Sequence, residues 1–370
     1  MAPGCINQVA EVVASFSSRR VLLVTDQGIS GTPWLNLVMD LVEKAGIPIM
    51  AADEIEPNPR FTTIDKLAEK ARSNKLDCVV GLGGGSVLDA AKAIAMLCKN
   101  PGSCLDYEGK NRFENGSVPF IAIPTTCGTG SEVTWVSVIT HPGQQRKLSV
   151  KGDAMFPAAA LVDPDMLKTL PAHLIASTGM DALTHAVEAY TVNCGNPVSD
   201  ALAEKAIALL FRYLPALYRH VDNSEARFAV MRASTLAGMA FGNADVGGVH
   251  CLSETIGGIW DVPHGLANAM LLGPVMKYHE PVVQDRFAAL TKLLDGPEVW
   301  DRSEQALSRM FLAKIEQLLD EVSIPGFSSL NIPQEEFERV ALGAVANGSN
   351  PSNPQEMDVP AYMKILEQAT

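Results

Sequence analysis

From Arg20 to about Pro164 short β-branched runs alternate with stretches of helical periodicity. Val21–Val24 reads as a strand ending at Thr25-Asp26. Gly31-Thr32-Pro33 then opens a helix, with Thr32 as its N-cap and Pro33 in its first turn. The spacing of Trp34, Leu37, Val38, Leu41 and Val42 carries it to Gly46. A strand near Ile47–Ala51, a Pro57-Asn58-Pro59 loop and a helix over about Ile64–Ser73 follow, then a buried strand Cys78–Leu82 that runs into a glycine turn. Phe120–Ile123, Thr134–Ile139, Lys147–Val150 and Ala159–Val162 are further strands. Strand and helix in this rhythm predict a mostly parallel sheet covered on both faces.

Beyond Asp163-Pro164 the pattern changes. Ala- and Leu-rich helical periodicity dominates Ala201–Leu217, Ala226–Gly238, Gln305–Val322 and Gln334–Val345. The chain therefore divides, on this shift alone, into an α/β domain over 1–164 and an all-α domain over 165–370. No internal repeat or low-complexity tract interrupts either.

Composition narrows the function classes. A chain of 370 residues that is 47% hydrophobic and 19% charged is a globular protein with room for a sizeable core. A formal net charge of −13 repels polyanions, which argues against nucleic acid or an anionic membrane surface as partner and leaves small molecules. Met155–Val162, about the longest apolar run, falls far short of a membrane helix, and no secretory signal is visible between Met1 and Arg20. Seven cysteines without a C-x-x-C pair favour reduced thiols and a cytoplasmic setting over a disulfide frame or a thiolate metal site.

Three loops follow predicted strands. Gly83-Gly84-Gly85-Ser86-Val87-Leu88-Asp89-Ala90-Ala91-Lys92 opens a helix, so its backbone N–H groups can meet an anion such as a diphosphate, or the glycines merely close a tight turn. Ser86 and Asp89 are spaced as a helix-capping pair. Asp26, at the end of the first strand, can accept from a ribose diol and repel a 2′-phosphate, which favours NAD over NADP, or can cap a turn. Pro124-Thr125-Thr126-Cys127-Gly128-Thr129-Gly130-Ser131-Glu132 gathers hydroxyls and glycines in a third loop. Three such loops at the carboxyl ends of parallel strands predict a ligand crevice.

In the helical half Asp181 and His185 are four apart, on one helix face. With His250 and His264 they make one carboxylate and three imidazoles, a set suited to Fe²⁺, Zn²⁺, Co²⁺ or Ni²⁺ rather than to Ca²⁺ or Mg²⁺. Glu188, one turn past His185, is placed either to orient that imidazole or to face solvent. His141, His173, His220 and His279 lie beside turns or helix ends, where solvated or capping roles are expected. Lys147 has either a phosphate or a surface carboxylate as its expected partner.

Taken together, Gly83–Lys92, Pro124–Glu132, Gly179–Tyr190, and His250 through Pro263-His264-Gly265-Leu266-Ala267-Asn268 resemble the iron-containing (group III) alcohol dehydrogenase family over most of the chain. The resemblance implies an N-terminal nucleotide-binding α/β domain, a helical C-terminal domain and a metal in the cleft between them. Asp181, His185, His250 and His264 take its metal-ligand places, iron before zinc. Gly83, Gly84, Gly85, Ser86 and Asp89 match its diphosphate turn, Asp26 its ribose-reading acid, and Thr125, Thr126 and Thr129 its cofactor-facing loop; Asn58 and Lys147 match less closely.

Where many members carry a proton-relaying histidine, four residues after the third ligand, this chain has Glu254, which either takes over the relay, changes substrate recognition or is a plain wall residue. Relatives usually have a further strand before the Gly4 region, and this chain begins almost there. The expected activity is metal-assisted hydride transfer between NAD(H) and a small primary or secondary alcohol and its aldehyde or ketone, in a homodimer or higher homo-oligomer. A dehydroquinate synthase-like, NAD- and metal-dependent lyase and a non-catalytic NAD- or metal-binding relative are the alternatives. Phe241, Val246 and Trp260 are suggested pocket walls.

Overall fold

The computed structural model describes residues 1–370, which fall into two compact units, Met1–Pro171 and Ala172–Thr370. In the first, five parallel strands pair in the order β2-β1-β3-β5-β8: β1 is Val21–Val24, β2 Ile49–Ala52, β3 Cys78–Gly83, β5 Phe120–Pro124 and β8 Ala159–Ala160. Every residue of β1, β3 and β5 is buried, as a sheet covered on both faces requires. Alternation sorts them: Leu22, Val24 and Val79 join a core with helices Phe61–Ser73 and Gly85–Leu97, while Val21, Leu23, Val80 and Leu82 join one with Val9–Ser15 and Pro33–Lys44. The expected start of the helix at Pro33 is observed, with Thr32 Oγ1 accepting from the N–H of Trp34.

The strands expected near residues 134–139 and 147–150 do not enter the parallel sheet. They are β6 (Val136–His141) and β7 (Arg146–Lys151), an antiparallel hairpin, with β4 (Gly109–Lys110) beside β7 in a second, three-stranded sheet. The reason lies in the connection: Pro142 to Gln145 is far too short for the crossover that parallel neighbours need.

The second unit is helical throughout. Ala172–Thr191, Pro197–Arg219, Ser224–Asn243, Gly248–Trp260 and His264–His279 form its centre, followed by Gln284–Asp295, Glu304–Glu321, Phe337–Ala346 and Val359–Ala369. The helix expected from Gln334 begins at Phe337, after a 3-10 turn over Gln334–Glu336. None of the helices is long and apolar enough to cross a membrane.

Candidate active site

Three helices of the second unit build a cluster of donor atoms. Asp181 and His185 lie mid-way along Ala172–Thr191, His250 in the first turn of Gly248–Trp260, and His264 at the first position of His264–His279. The residue after His264 is glycine because nothing larger fits: a Cβ on Gly265 would stand 2.8 Å from the carbonyl oxygen of Ser177 and 3.2 Å from Asp181 Cβ. That close approach seats His264 over the helix that carries Asp181.

One ligand atom from each of Asp181, His185, His250 and His264 lies within 4.8 Å of all the others. His264 Nε2 is 3.9 Å and His185 Nδ1 4.0 Å from Asp181 Oδ1. Bonds of about 2.0–2.2 Å to one ion separate two donors by at most about 4.4 Å, so the four donors come within a few tenths of an ångström of sharing one cation. Asp181, His185 and His250 are buried, and three imidazole nitrogens with one carboxylate oxygen form a borderline-soft donor set.

Asn268 marks the point of convergence. Its Nδ2 donates to Asp181 Oδ1 at 2.7 Å and lies 3.1 Å from both His250 Nε2 and His264 Nε2, while its Oδ1 is buried with no hydrogen-bond partner. Three donor atoms thus face the same positively polarised nitrogen, as they would face a cation. Phe241 stacks on the ring of His185 at a centroid distance of 4.4 Å and walls the cluster.

Glu188 orients His250, and not His185 as its position one turn away suggested. Its Oε2 is 2.5 Å from His250 Nδ1 and its Oε1 accepts from the N–H of Val249 at 2.7 Å. The carboxylate faces the N-terminal turn of the partner helix, where backbone N–H groups and the helix dipole favour negative charge. Burial disfavours both charged forms, but the contact outweighs it, holding the Glu188 carboxyl below its ordinary range and the His250 imidazole above its own. With Nδ1 committed to Glu188, His250 presents Nε2 to the cluster.

Glu254, one turn past His250, is half-buried, and its Oε2 accepts from Asn347 Nδ2 at 2.7 Å. Of the remaining histidines, His141 Nδ1 caps the Pro142–Gln144 turn, and His173 and His220 are exposed. His279 departs from expectation. It is buried, with Nε2 donating to Asn353 Oδ1 at 3.2 Å and Nδ1 accepting from Gln355 Nε2 at 3.1 Å, and its burial lowers its pKa to about 4.

In the first unit the glycine turn and the Thr125–Thr129 loop are in contact. Gly84, in extended backbone, caps the helix Gly85–Leu97. A Cβ on Gly84 would lie 3.0 Å from Thr126 Cγ2, and one on Gly85 only 2.4 Å from Thr129 Cγ2. Gly83 closes β3, and Thr125 donates its N–H to the Gly83 carbonyl at 3.0 Å. Ser86 and Asp89 are not a capping pair. Asp89 instead accepts from Ser131 Oγ at 2.6 Å and from the N–H of Val138 at 2.9 Å. Asp26 Oδ1 caps the short helix Gln27–Ser30 through the N–H of Ile29 at 2.9 Å. Asn58 is buried in the Pro57–Pro59 loop with φ 52°, and Lys147 lies on β7 opposite Thr140.

Comparison with known proteins places this architecture. Residues 1–164 match the family described as "Iron-containing alcohol dehydrogenase", and residues 175–370 match "Fe-containing alcohol dehydrogenase family, C-terminal". The chain belongs to the iron-containing alcohol dehydrogenase family. It is 33% identical to the "NAD-dependent methanol dehydrogenase" of Bacillus methanolicus over 99% of this chain and 96% of the relative. It is 34% identical to the "1,3-propanediol dehydrogenase" of Citrobacter freundii over 99% and 95%. A solved 1,3-propanediol oxidoreductase superposes with a TM-score of 0.96 at 34% identity, covering 100% of this chain and 96% of the other.

For this member of the iron-containing alcohol dehydrogenase family, residue-by-residue reading of the sequence missed Asn268 and the partner of Glu188. Asn268 carries a local signal, four residues after His264 and so on the same helix face. The Glu188–His250 contact spans 62 residues and carries none.

Proposed function

We propose that this chain catalyses reversible hydride transfer between NAD(H) and a small alcohol and its aldehyde or ketone, with Asp181, His185, His250 and His264 holding one divalent metal, iron or zinc. The observation that carries the metal assignment is the convergence of one carboxylate oxygen and three imidazole nitrogens within 4.8 Å. Bound there, such an ion supplies a Lewis acid for the substrate oxygen, and NAD supplies the hydride carrier.

The chain's own residues have separable tasks in this reading. Glu188 fixes the tautomer of His250 by accepting from Nδ1, and Phe241 keeps one side of the cluster apolar. Glu254 is the proton relay, its Oε2 held by Asn347 Nδ2. On the first unit Gly83, Gly84, Gly85 and Ser86 hold the diphosphate at the helix start. Thr125, Thr126 and Thr129 flank it, Asp26 accepts from the ribose, Asn58 and Lys147 complete the cofactor site, and Asp89 supports it from behind by holding Ser131 and Val138.

The relatives' names, alcohol, methanol and propanediol dehydrogenases, support the reaction class and do not favour the lyase. The proposal includes a cytoplasmic setting, supported by seven free cysteines, and a homodimer or higher homo-oligomer. Metal analysis joined to a panel of short aldehydes with NADH and NADPH tests it. Metal-loaded protein is expected to oxidise NADH with at least one aldehyde, and His264→Ala to lose both metal and turnover. Full activity in His264→Ala overturns the ligand assignment.

A further inference from the structure

Lys92, in the second turn of the helix that follows the glycine turn, is fully buried. Its ammonium donates to Ser131 Oγ at 2.7 Å, to the Val136 carbonyl at 2.8 Å and to Thr134 Oγ1 at 3.1 Å, with Asp89 Oδ1 at 3.4 Å. An ammonium has three N–H groups, and those three bonds use them all. Lys92 therefore has no donor left for a ligand and no access to one. All three acceptors belong to the segment that directly follows the Thr125–Thr129 loop.

Asp89, one turn earlier on the same helix, grips that segment too. It accepts from Ser131 Oγ and the N–H of Val138, and its carbonyl accepts from Ser137 Oγ at 2.8 Å. Ser131 in turn donates its N–H to Thr129 Oγ1 at 3.2 Å, and Thr129 Cγ2 is the atom that a Cβ on Gly85 would strike. A chain of short contacts thus runs from the Lys92 ammonium through Ser131 and Thr129 to the backbone of the glycine turn. Burying a charge is costly, and a methionine would fill the same volume. What lysine alone supplies here is three directional bonds to one loop from a compact cation.

We propose that Lys92 is a positioning residue whose buried clamp on Ser131, Thr134 and Val136 sets the distance between the Gly83–Gly85 turn and the Thr125–Thr129 loop, and through it the affinity for NAD(H). The inference rests on the nucleotide site proposed above. It assigns no chemistry to Lys92, so its signature is a change in cofactor affinity without a change in the hydride step.

The test titrates NADH by fluorescence into the full-length, metal-loaded protein and its Lys92→Met and Thr134→Val variants, with melting temperatures and steady-state kinetics alongside. Folded Lys92→Met is expected to bind NADH about tenfold or more weakly, and Thr134→Val several-fold more weakly. In both, KM for NADH rises while kcat at saturating NADH stays within about twofold of wild type. Should Lys92→Met fail to fold, Thr134→Val, which removes one acceptor and keeps the charge paired with Asp89, decides alone. Folded variants that bind NADH as tightly as wild type overturn the clamp while leaving the nucleotide site standing. Wild type that binds no NADH overturns both.

Discussion

Replacing Glu188 by glutamine changes one atom and little volume, yet the surroundings of that atom make it a severe change at the proposed metal site. The carboxylate is buried and accepts two N–H groups at once, from Val249 at 2.7 Å and from His250 Nδ1 at 2.5 Å. Glutamine offers one acceptor oxygen to these two donors and turns a second donor toward one of them. If His250 keeps its proton on Nδ1, a buried N–H faces an NH2 group. If the proton moves to Nε2, the nitrogen 3.1 Å from Asn268 Nδ2 can no longer donate a lone pair to a cation.

Removing such an outer partner of a metal-bound histidine typically costs 10–100-fold in metal affinity, about 1.4–2.7 kcal/mol. Competition of Glu188→Gln and wild type with a chromophoric chelator for Zn²⁺ at pH 7.5 measures it. A metal Kd within twofold of wild type, in a variant that is folded, refutes the argument that Glu188 holds His250 in its ligating tautomer.

Three further outcomes are expected. Asp26→Gly removes the carboxylate at the end of β1 that would repel a 2′-phosphate, so the ratio of kcat/KM for NADP to that for NAD is expected to rise about tenfold, equal to about 1.4 kcal/mol; an unchanged ratio removes Asp26 from nucleotide selection. Glu254→Gln keeps the bond from Asn347 but cannot carry a proton, so turnover slows or its pH profile shifts, whereas identical kinetics at all pH values make Glu254 a wall residue. His279 has a folded pKa of about 4, below its ordinary 6.5, so between those values the unfolded chain binds the proton and the folded one does not. Stability therefore falls as pH drops through that window and is unaffected above it, by about 2 kcal/mol at pH 5. Between pH 7.5 and 5 the melting temperature of wild type is expected to fall about 2–3 °C further than that of His279→Gln; parallel curves refute the assignment.

Much of this was legible in the sequence because it is local. The β-branched runs became β1, β3 and β5 with every residue buried, and Thr32-Pro33 started a helix where their chemistry says one starts. The four converging donors were legible for two reasons: Asp181 and His185 share a helix face by spacing, and histidines are scarce enough that His250 and His264 stand out. What was missed depends on contacts between distant segments. Glu188 is nearer in sequence to His185 but meets His250, because helix packing decides which imidazole its carboxylate reaches. Asp89 looked like a capping residue until Ser131 and Val138, far along the chain, folded onto it. His279 sits at a helix end, where exposure is the usual outcome, yet Asn353 and Gln355 cover it. The pairing of β6 with β7 is antiparallel, which short apolar runs alone do not distinguish from parallel; loop length does.

In the proposed function one acid and three imidazoles share a single ion. Anomalous diffraction at the iron edge from crystals of protein loaded anaerobically with Fe²⁺ locates that ion. One anomalous peak is expected at about 2.0–2.3 Å from Asp181 Oδ1, His250 Nε2, His264 Nε2 and a ring nitrogen of His185. A peak elsewhere, or one that leaves any of the four outside bonding distance, contradicts it.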